Sequence, residues 1–180
     1  MTVTVTRPPA ADAMAPMAFF DRDGVLNEEV DYAFRIDQIV WVEGAFAAVR
    51  RLNRLGYRVV VVTNQSGVGR GYYTEDDVRS LHGQMKRIML ENGARIDAFY
   101  YSPHHPEAAL AAYRADLEDR KPRPGMLLKA MRDFPTERER SFLVGDRETD
   151  IQAAAAAGVR GFLFEGGNLD AFIAGQLGRP

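Results

Sequence analysis

The stretch AFFDRDGVLNEE, residues 18–29, runs an apolar, aromatic segment straight into two aspartates one residue apart, with a glycine directly behind them. Two readings compete. Asp and Gly both favour turns, so this is a strand that ends in a polar turn. Alternatively, Asp21 and Asp23 sit together to hold a cation or to attack an electrophile, which offsets their repulsion and desolvation.

Working outward, further short apolar runs follow at 58–62 (RVVVV), 98–101, 141–144 and 161–164, besides 17–20. Continuous runs of this length suit strands buried on both faces. Amphipathic stretches lie between them. Residues 45–55 place Phe46, Val49, Leu52 and Leu55 on one helical face and stop at Gly56. Thr74 reads as an N-cap for a helix carrying Val78, Leu81, Met85 and Ile88 that stops near Gly93. A third helix begins after Pro124, a fourth runs through Ala153–Ala157 to Gly158, and a weak fifth spans 169–177. Such alternation predicts an α/β fold, with a central parallel sheet and helices on both faces. In that architecture ligands bind outside the carboxyl ends of the strands. The first run ends on Asp21, the second on Thr63-Asn64 and the fourth on Gly145-Asp146, so polar residues from distant segments converge on one edge.

The whole chain is compatible with one domain and a sizeable core at 180 residues. Residues 1–16 read as a flexible tail and 17–180 as the single domain. The 46% hydrophobic and 27% charged residues are ordinary for a soluble globular protein. A net charge of −2 without a basic tract argues against nucleic-acid binding. Zero cysteines exclude disulfides and thiolate metal sites, in keeping with a cytoplasmic location. No apolar run approaches the roughly 20 residues of a membrane span, and the N-terminal stretch lacks the apolar segment of a secretory leader.

At the convergent edge, Asp21, Asp23 and Asp146 make a hard, oxygen-rich site suited to magnesium. A calcium loop fails, because Val25 and Tyr32 stand where oxygen ligands are needed. Thr63 offers a hydroxyl and Lys121, in RKPRPG, an ammonium to a phosphate. Asp150, four residues past Asp146, sits on the same face of an opening helical turn and orients the metal or its waters. A metal, a lysine and N–H donors together bind a phosphoryl group whose charge grows in the transition state, and a neighbouring carboxylate attacks the phosphorus.

The segments FFDRDGVLN, VVTNQSG, DRKPRPGM and LVGDRETD resemble, in this order, the four motifs of the haloacid dehalogenase (HAD) superfamily of phosphohydrolases. Within it, TNQSGVGRGYYTE and YYSPHHP with RKPRPGM are similar to the heptose-1,7-bisphosphate 7-phosphatases, close relatives of the histidinol-phosphate phosphatases. The resemblance covers most of residues 17–166. It implies a three-layer Rossmann-like HAD fold without a large cap domain, and a Mg2+-dependent phosphatase acting on a small phosphorylated sugar. Asp21 is then the nucleophile that becomes an aspartyl phosphate. Asp23 is the acid for the leaving alkoxide and then the base for water. Thr63 and Lys121 hold the phosphoryl group. Asp146, Asp21 and the Asp23 carbonyl ligate magnesium, with Asp150 in support. Asn64, Gln65, Ser66, Arg70 and Arg120 are the candidate substrate contacts, and loops at 27–36, 66–73 and 103–120 are expected to build specificity. An open domain of this size suits a monomer. A histidinol-phosphate or other small-metabolite phosphatase is the alternative, and a non-catalytic phosphate-binding protein the alternative of another class.

One departure stands out. Many members of this branch hold a structural zinc with three cysteines and a histidine, but here Ser102, Leu117 and Asp119 occupy the cysteine positions beside His104. That donor set does not build a tetrahedral zinc site, so no structural zinc is expected and Tyr113 and Leu117 are expected to hold the segment by packing. The residues also carry plainer readings: Thr63 suits a strand end, Asp150 a helix first turn, and Arg70 a solvated surface. GVGRG lacks both the third glycine of a dinucleotide fingerprint and the lysine of a nucleotide loop. His104 and His105 read as loop residues or substrate contacts, His82 as a surface or packing histidine, and Trp41 as core.

Overall fold

The computed structural model describes residues 4–5 and 13–178. Its six-stranded sheet contains β1 (Thr4–Val5), β2 (Met17–Phe20), β3 (Arg58–Asn64), β4 (Ala98–Ser102), β5 (Phe142–Gly145) and β6 (Arg160–Leu163), ordered β1-β4-β3-β2-β5-β6. Five strands are parallel, and β1 joins β4 antiparallel, pairing Thr4 with Phe99 and Val5 with Ala98. The helices are α1 (Ala45–Arg54), α2 (Gly67–Arg70), α3 (Glu75–Glu91), α4 (Gly125–Asp133), α5 (Glu148–Ala157) and α6 (Leu169–Leu177). Among the described residues no helix is long and apolar enough to cross a membrane.

Strand parity builds the two cores. Ala18, Phe20, Val59, Val61, Phe142 and Val144 face one layer, where they meet α1, α3 and α6. Met17, Phe19, Val60, Val62 and Leu143 face the other and pack on α4 and α5. All four β2 residues are buried, as a strand covered on both faces requires. Each large side chain so buried contributes about 1.5–3 kcal/mol. The alanines of α5 let that helix lie close to the sheet: a Cβ built on Gly161 would stand 3.2 Å from the Ala154 Cβ.

Several sequence expectations shift. Leu55 is 51% exposed and lies beyond the end of α1, whose buried face is Ala45, Ala48, Val49 and Leu52. On α3, Met89 rather than Ile88 completes the buried stripe, and His82 is buried within it. Thr74 caps α3 as expected, accepting from the Asp77 N–H while the Asp77 carboxylate accepts from Thr74. β6 is partly exposed because it is a sheet edge. Residues 67–70, read as loop, form a short helix. Of the segment assigned to a flexible tail, residues 1–3 and 6–12 lie outside the described residues. The fold reaches back before residue 17, since Arg58 donates to the Ala13 carbonyl and Glu137 N–H donates to that of Ala15.

The order places β2 between β3 and β5. The chain winds from β2 to one side first and returns to the other with β5, so the crevice between the ends of β2 and β5 is the topological switch point. Asp21 follows β2 there, and Asp146 follows β5.

Candidate active site

Asp21 leaves β2 with its N–H donated to the Val144 carbonyl at 2.9 Å, so the strand pairing continues one residue into the site. Its carboxylate accepts from the Arg22 N–H at 2.7 Å and pairs with the Lys121 ammonium at 3.0 Å. Lys121 also pairs with Asp150 at 2.5 Å and donates to the Val62 carbonyl at 2.9 Å, so three protein acceptors surround its nitrogen. Lys121 itself is placed by Asn64, whose amide oxygen accepts from the Lys121 N–H at 3.1 Å and whose amide nitrogen donates to the Lys121 carbonyl at 3.0 Å. Asn64, expected at the substrate, thus does structural work on the lysine while also lining the cleft.

Oxygens of Asp21, Asp146 and Asp150 all lie within 4.8 Å of one another. Asp146 Oδ1 is buried and has no hydrogen-bond partner among the described residues. An all-oxygen set with a buried, unpartnered carboxylate oxygen fits a hard divalent cation. The charge balance says the same. Burial pushes the Asp21 carboxyl up to about 7; Lys121 pulls it down, while Asp150 and Asp23 push with the burial. Burial also raises the Asp146 carboxyl, helped by Asp150. Although burial opposes its charge, Lys121 is held above the ordinary lysine range by Asp21 and Asp150. One ammonium does not neutralise three carboxylates, a deficit that a divalent cation would make good.

Gly145 makes the Asp150 position possible. A Cβ at residue 145 would stand 2.1 Å from the Asp150 Cβ. Gly145→Ala is therefore expected to lower stability by about 1–3 kcal/mol through overpacking. Chemical unfolding measures this; an unchanged midpoint would show that Asp150 yields freely.

Asp23 is held by a different group. Arg22 lays Nε and Nη2 across both carboxylate oxygens at 2.9–3.2 Å. Asn27 donates to Oδ1 at 3.0 Å and Gln65 to Oδ2 at 3.1 Å. The other Gln65 contacts are a donation to Thr63 Oγ1 at 2.9 Å and acceptance from Tyr73 Oη at 2.8 Å. Gln65, expected to touch substrate, lines the cleft and is buried, with its amide engaged by Asp23, Thr63 and Tyr73. Thr63 Oγ1 accepts from Gln65, which leaves its own O–H to donate into the cleft.

These side chains open on a cleft of about 550 Å³ lined also by Ser66, Arg120, Tyr32, Glu29, Asp31 and Glu148. Arg120 donates to the His104 carbonyl at 3.0 Å. Burial lowers its guanidinium from the ordinary value, against the pull of Asp116, and the like charge of Arg70 adds to that. Arg70 ends α2 and does not line the cleft; its Nε is buried without a hydrogen-bond partner. Among the described residues neither arginine forms an ion pair.

Of the two residues expected to hold the segment after β4 by packing, Tyr113 does so, lying against Val68, Tyr73, Val78 and Tyr101 and meeting the His104 ring at 5.6 Å, whereas Leu117 is 40% exposed; polar contacts add to the hold. Ser102 Oγ donates to Asp119 Oδ1 at 3.1 Å, and Tyr113 Oη to Glu75 at 3.0 Å. Two of the four aligned zinc positions thus bond directly to each other. Sequence reasoning gave no role to Arg22, Asn27 and Tyr73, and of its two readings for His82, surface or packing, the structure shows packing. Asn27 carried no signal beyond its place in a loop, whereas His82 shares the spacing of the apolar stripe Val78, Met85 and Met89.

A HAD-hydrolase-like family model matches residues 118–174. A D-glycero-beta-D-manno-heptose-1,7-bisphosphate 7-phosphatase of Rhodopseudomonas palustris is 48% identical over 88% of each chain. A D-glycero-alpha-D-manno-heptose-1,7-bisphosphate 7-phosphatase of Burkholderia mallei is 47% identical over 78% of this chain and 75% of its own. Among solved structures, a HAD-like phosphatase from Mesorhizobium loti superposes with a TM-score of 0.88 at 30% identity, covering 97% of this chain and 90% of that one. The D,D-heptose 1,7-bisphosphate phosphatase of B. bronchiseptica, complexed with magnesium and phosphate, gives 0.73 at 31%, covering 92% and 88%.

Proposed function

The chain belongs to the HAD-like phosphatases, in the branch of the heptose bisphosphate phosphatases, and from that premise we propose that it removes the 7-phosphate of D-glycero-D-manno-heptose 1,7-bisphosphate with Mg2+ as cofactor. The observation that carries the reading is the buried Asp21–Lys121–Asp150 cluster, with the orphaned Asp146 oxygen in the same group of carboxylates, lining a cleft with Arg120 on its wall.

Asp21, Asp146 and the Asp23 carbonyl would hold the metal, with Asp150 in support. When bound, the metal supplies positive charge to the phosphoryl oxygens and holds Asp21 ionised. The Asp21 carboxylate attacks phosphorus, the bond from phosphorus to the sugar oxygen breaks, and an aspartyl phosphate forms. Asp23 gives its proton to the leaving oxygen, then takes one from the water that hydrolyses the acyl phosphate. The Thr63 hydroxyl donates to a phosphoryl oxygen. As Asp21 becomes an acyl phosphate its carboxylate gives up its charge, and its place on Lys121 passes to the phosphoryl group. Arg120, with Arg70 behind it, receives the distal phosphate through a fork suited to that anion. Ser66, which lines the cleft, contacts the sugar in this reading. Zero cysteines are in keeping with a cytoplasmic location, the net charge of −2 without a basic tract with no nucleic-acid partner, and an open domain of this size with a monomer.

A second reading, histidinol phosphate, draws on Glu29, Asp31 and Glu148 in the cleft, carboxylates that suit an amine. Initial-rate phosphate release with magnesium separates the two, comparing both anomers of the heptose bisphosphate with histidinol phosphate and fructose bisphosphate. Both anomers belong in the panel because the two relatives, near-equal in identity, carry opposite ones in their names. A heptose preference of about a hundredfold in kcat/KM, some 2.7 kcal/mol, is expected. A flat profile would end the heptose assignment.

A further inference from the structure

Behind the site, on the far side of Arg22 from the cleft, lies a histidine that the reaction as written does not use. His82 projects from α3 into the layer beneath β4 and is 1% exposed, as is Arg22. Its ring stacks on Phe99 at 4.5 Å and meets the edge of Tyr101 at 5.7 Å. Its Nε2 faces Arg22 Nη1 at 3.3 Å. A guanidinium has only donors, so Nε2 accepts and the ring proton sits on Nδ1. Burial and the adjacent Arg22 charge hold the His82 pKa well below its ordinary value, so the ring stays neutral.

We infer that His82 is a positioning residue for Asp23, fixing through the Arg22 guanidinium the fork on which the Asp23 carboxyl rests. The geometry has the form of a clamp. Nη2 bonds Asp23 and the Ala33 carbonyl, Nε bonds Asp23, and Nη1 bonds His82. The guanidinium plane is therefore tied to two walls, the 33 loop and α3, while its remaining edge faces Asp23. A planar group fixed at its far edge cannot rotate about its long stem, and proton transfer falls steeply with small misplacements. Ring stacking alone would ask only for an aromatic residue at position 82; the Nε2 contact asks for an acceptor.

The inference rests on Asp23 being the acid in the proposed reaction, and the test separates the two. A misplaced acid hurts substrates whose leaving oxygen needs a proton. It spares p-nitrophenyl phosphate, whose phenolate leaves without one. His82→Phe keeps the stack and removes the acceptor; His82→Gln restores an acceptor near the Nε2 position. His82→Phe is expected to lower kcat/KM for the 7-phosphate of the heptose bisphosphate about tenfold and that for p-nitrophenyl phosphate less than about threefold, with His82→Gln within about threefold of wild type on both. Equal losses on the two esters, or none, would overturn it. Asp23→Asn is the control. If it spares the aryl ester while His82→Phe does not, only the His82 inference fails. If Asp23→Asn itself lowers kcat/KM, which reports the step up to loss of the leaving group, equally on both, the acid assignment falls and this inference with it. Should His82→Phe not fold, nitrogen-15 NMR of the wild type still decides: Nε2 unprotonated is expected, and a proton on Nε2 overturns the clamp.

Discussion

Asp21→Asn is expected to abolish phosphate release, by at least about 10⁴-fold, while making the metal-free protein more stable near pH 8. The two effects share one cause. Asp21 is buried against Asp150 and Asp23 with a single ammonium at 3.0 Å, and its carboxyl is pushed up to about 7 from 3.8. Between about pH 4 and 7 the folded protein therefore holds a proton that the unfolded chain has released. Stability falls as pH rises through that window, and above about 7 the whole penalty is present. An amide at position 21 removes the penalty and cannot attack phosphorus. It also forfeits the ion pair with Lys121, so the gain is on the order of 1–2 kcal/mol, well short of the full conversion of the shift. Thermal unfolding in chelator across this pH range should show a falling wild-type stability and a flatter curve for Asp21→Asn. A variant that turns over substrate, or that melts lower than wild type near pH 8, would contradict the reading.

The same physics explains how far the site was legible in the sequence. Asp21, Thr63 and Asp146 could be brought to one edge from sequence because apolar runs of four to seven residues mark strands, and parallel winding aligns the strand ends. Helix faces were legible to within a turn: Val49, Leu52, Leu81 and Met85 are buried as expected, whereas Leu55 and Ile88 lie where their helices turn outward or end. What strand logic does not reach is the conformation after a strand ends. Arg22 follows Asp21 directly, yet its side chain turns back to grip Asp23, a geometry set by the turn closed by the Gly24 N–H donating to the Asn27 carbonyl. Asn64 and Gln65 were assigned to the substrate because they adjoin Thr63. The structure uses the amide of Asn64 to clasp the Lys121 backbone and that of Gln65 to bridge Asp23, Thr63 and Tyr73. Amide side chains donate and accept at once, which makes them suited to joining loops that are distant in sequence, and no local pattern records the distant partner.

Lys121 gives the other large effect. Lys121→Met is expected to cost about 3–5 kcal/mol of stability, because it leaves Asp150 buried with no cation. Asp150→Asn added to it should recover much of that loss, since the uncompensated charge is then gone; the amide can still accept from the Arg147 N–H that Asp150 Oδ2 holds at 3.1 Å at the start of α5. Catalysis should not follow stability. The ammonium is needed where phosphoryl charge develops, so both the single and the double variant should lose on the order of 10³-fold or more in kcat. A double-mutant cycle in denaturant and phosphate-release kinetics on the same proteins measure both quantities. Additive stability losses would mean that Asp150 finds another partner and that the 2.5 Å pair is not what keeps it buried. Recovery of stability with activity still absent would separate the two demands on this lysine: Asp150 makes its charge tolerable inside the fold, and the phosphoryl group makes that charge useful.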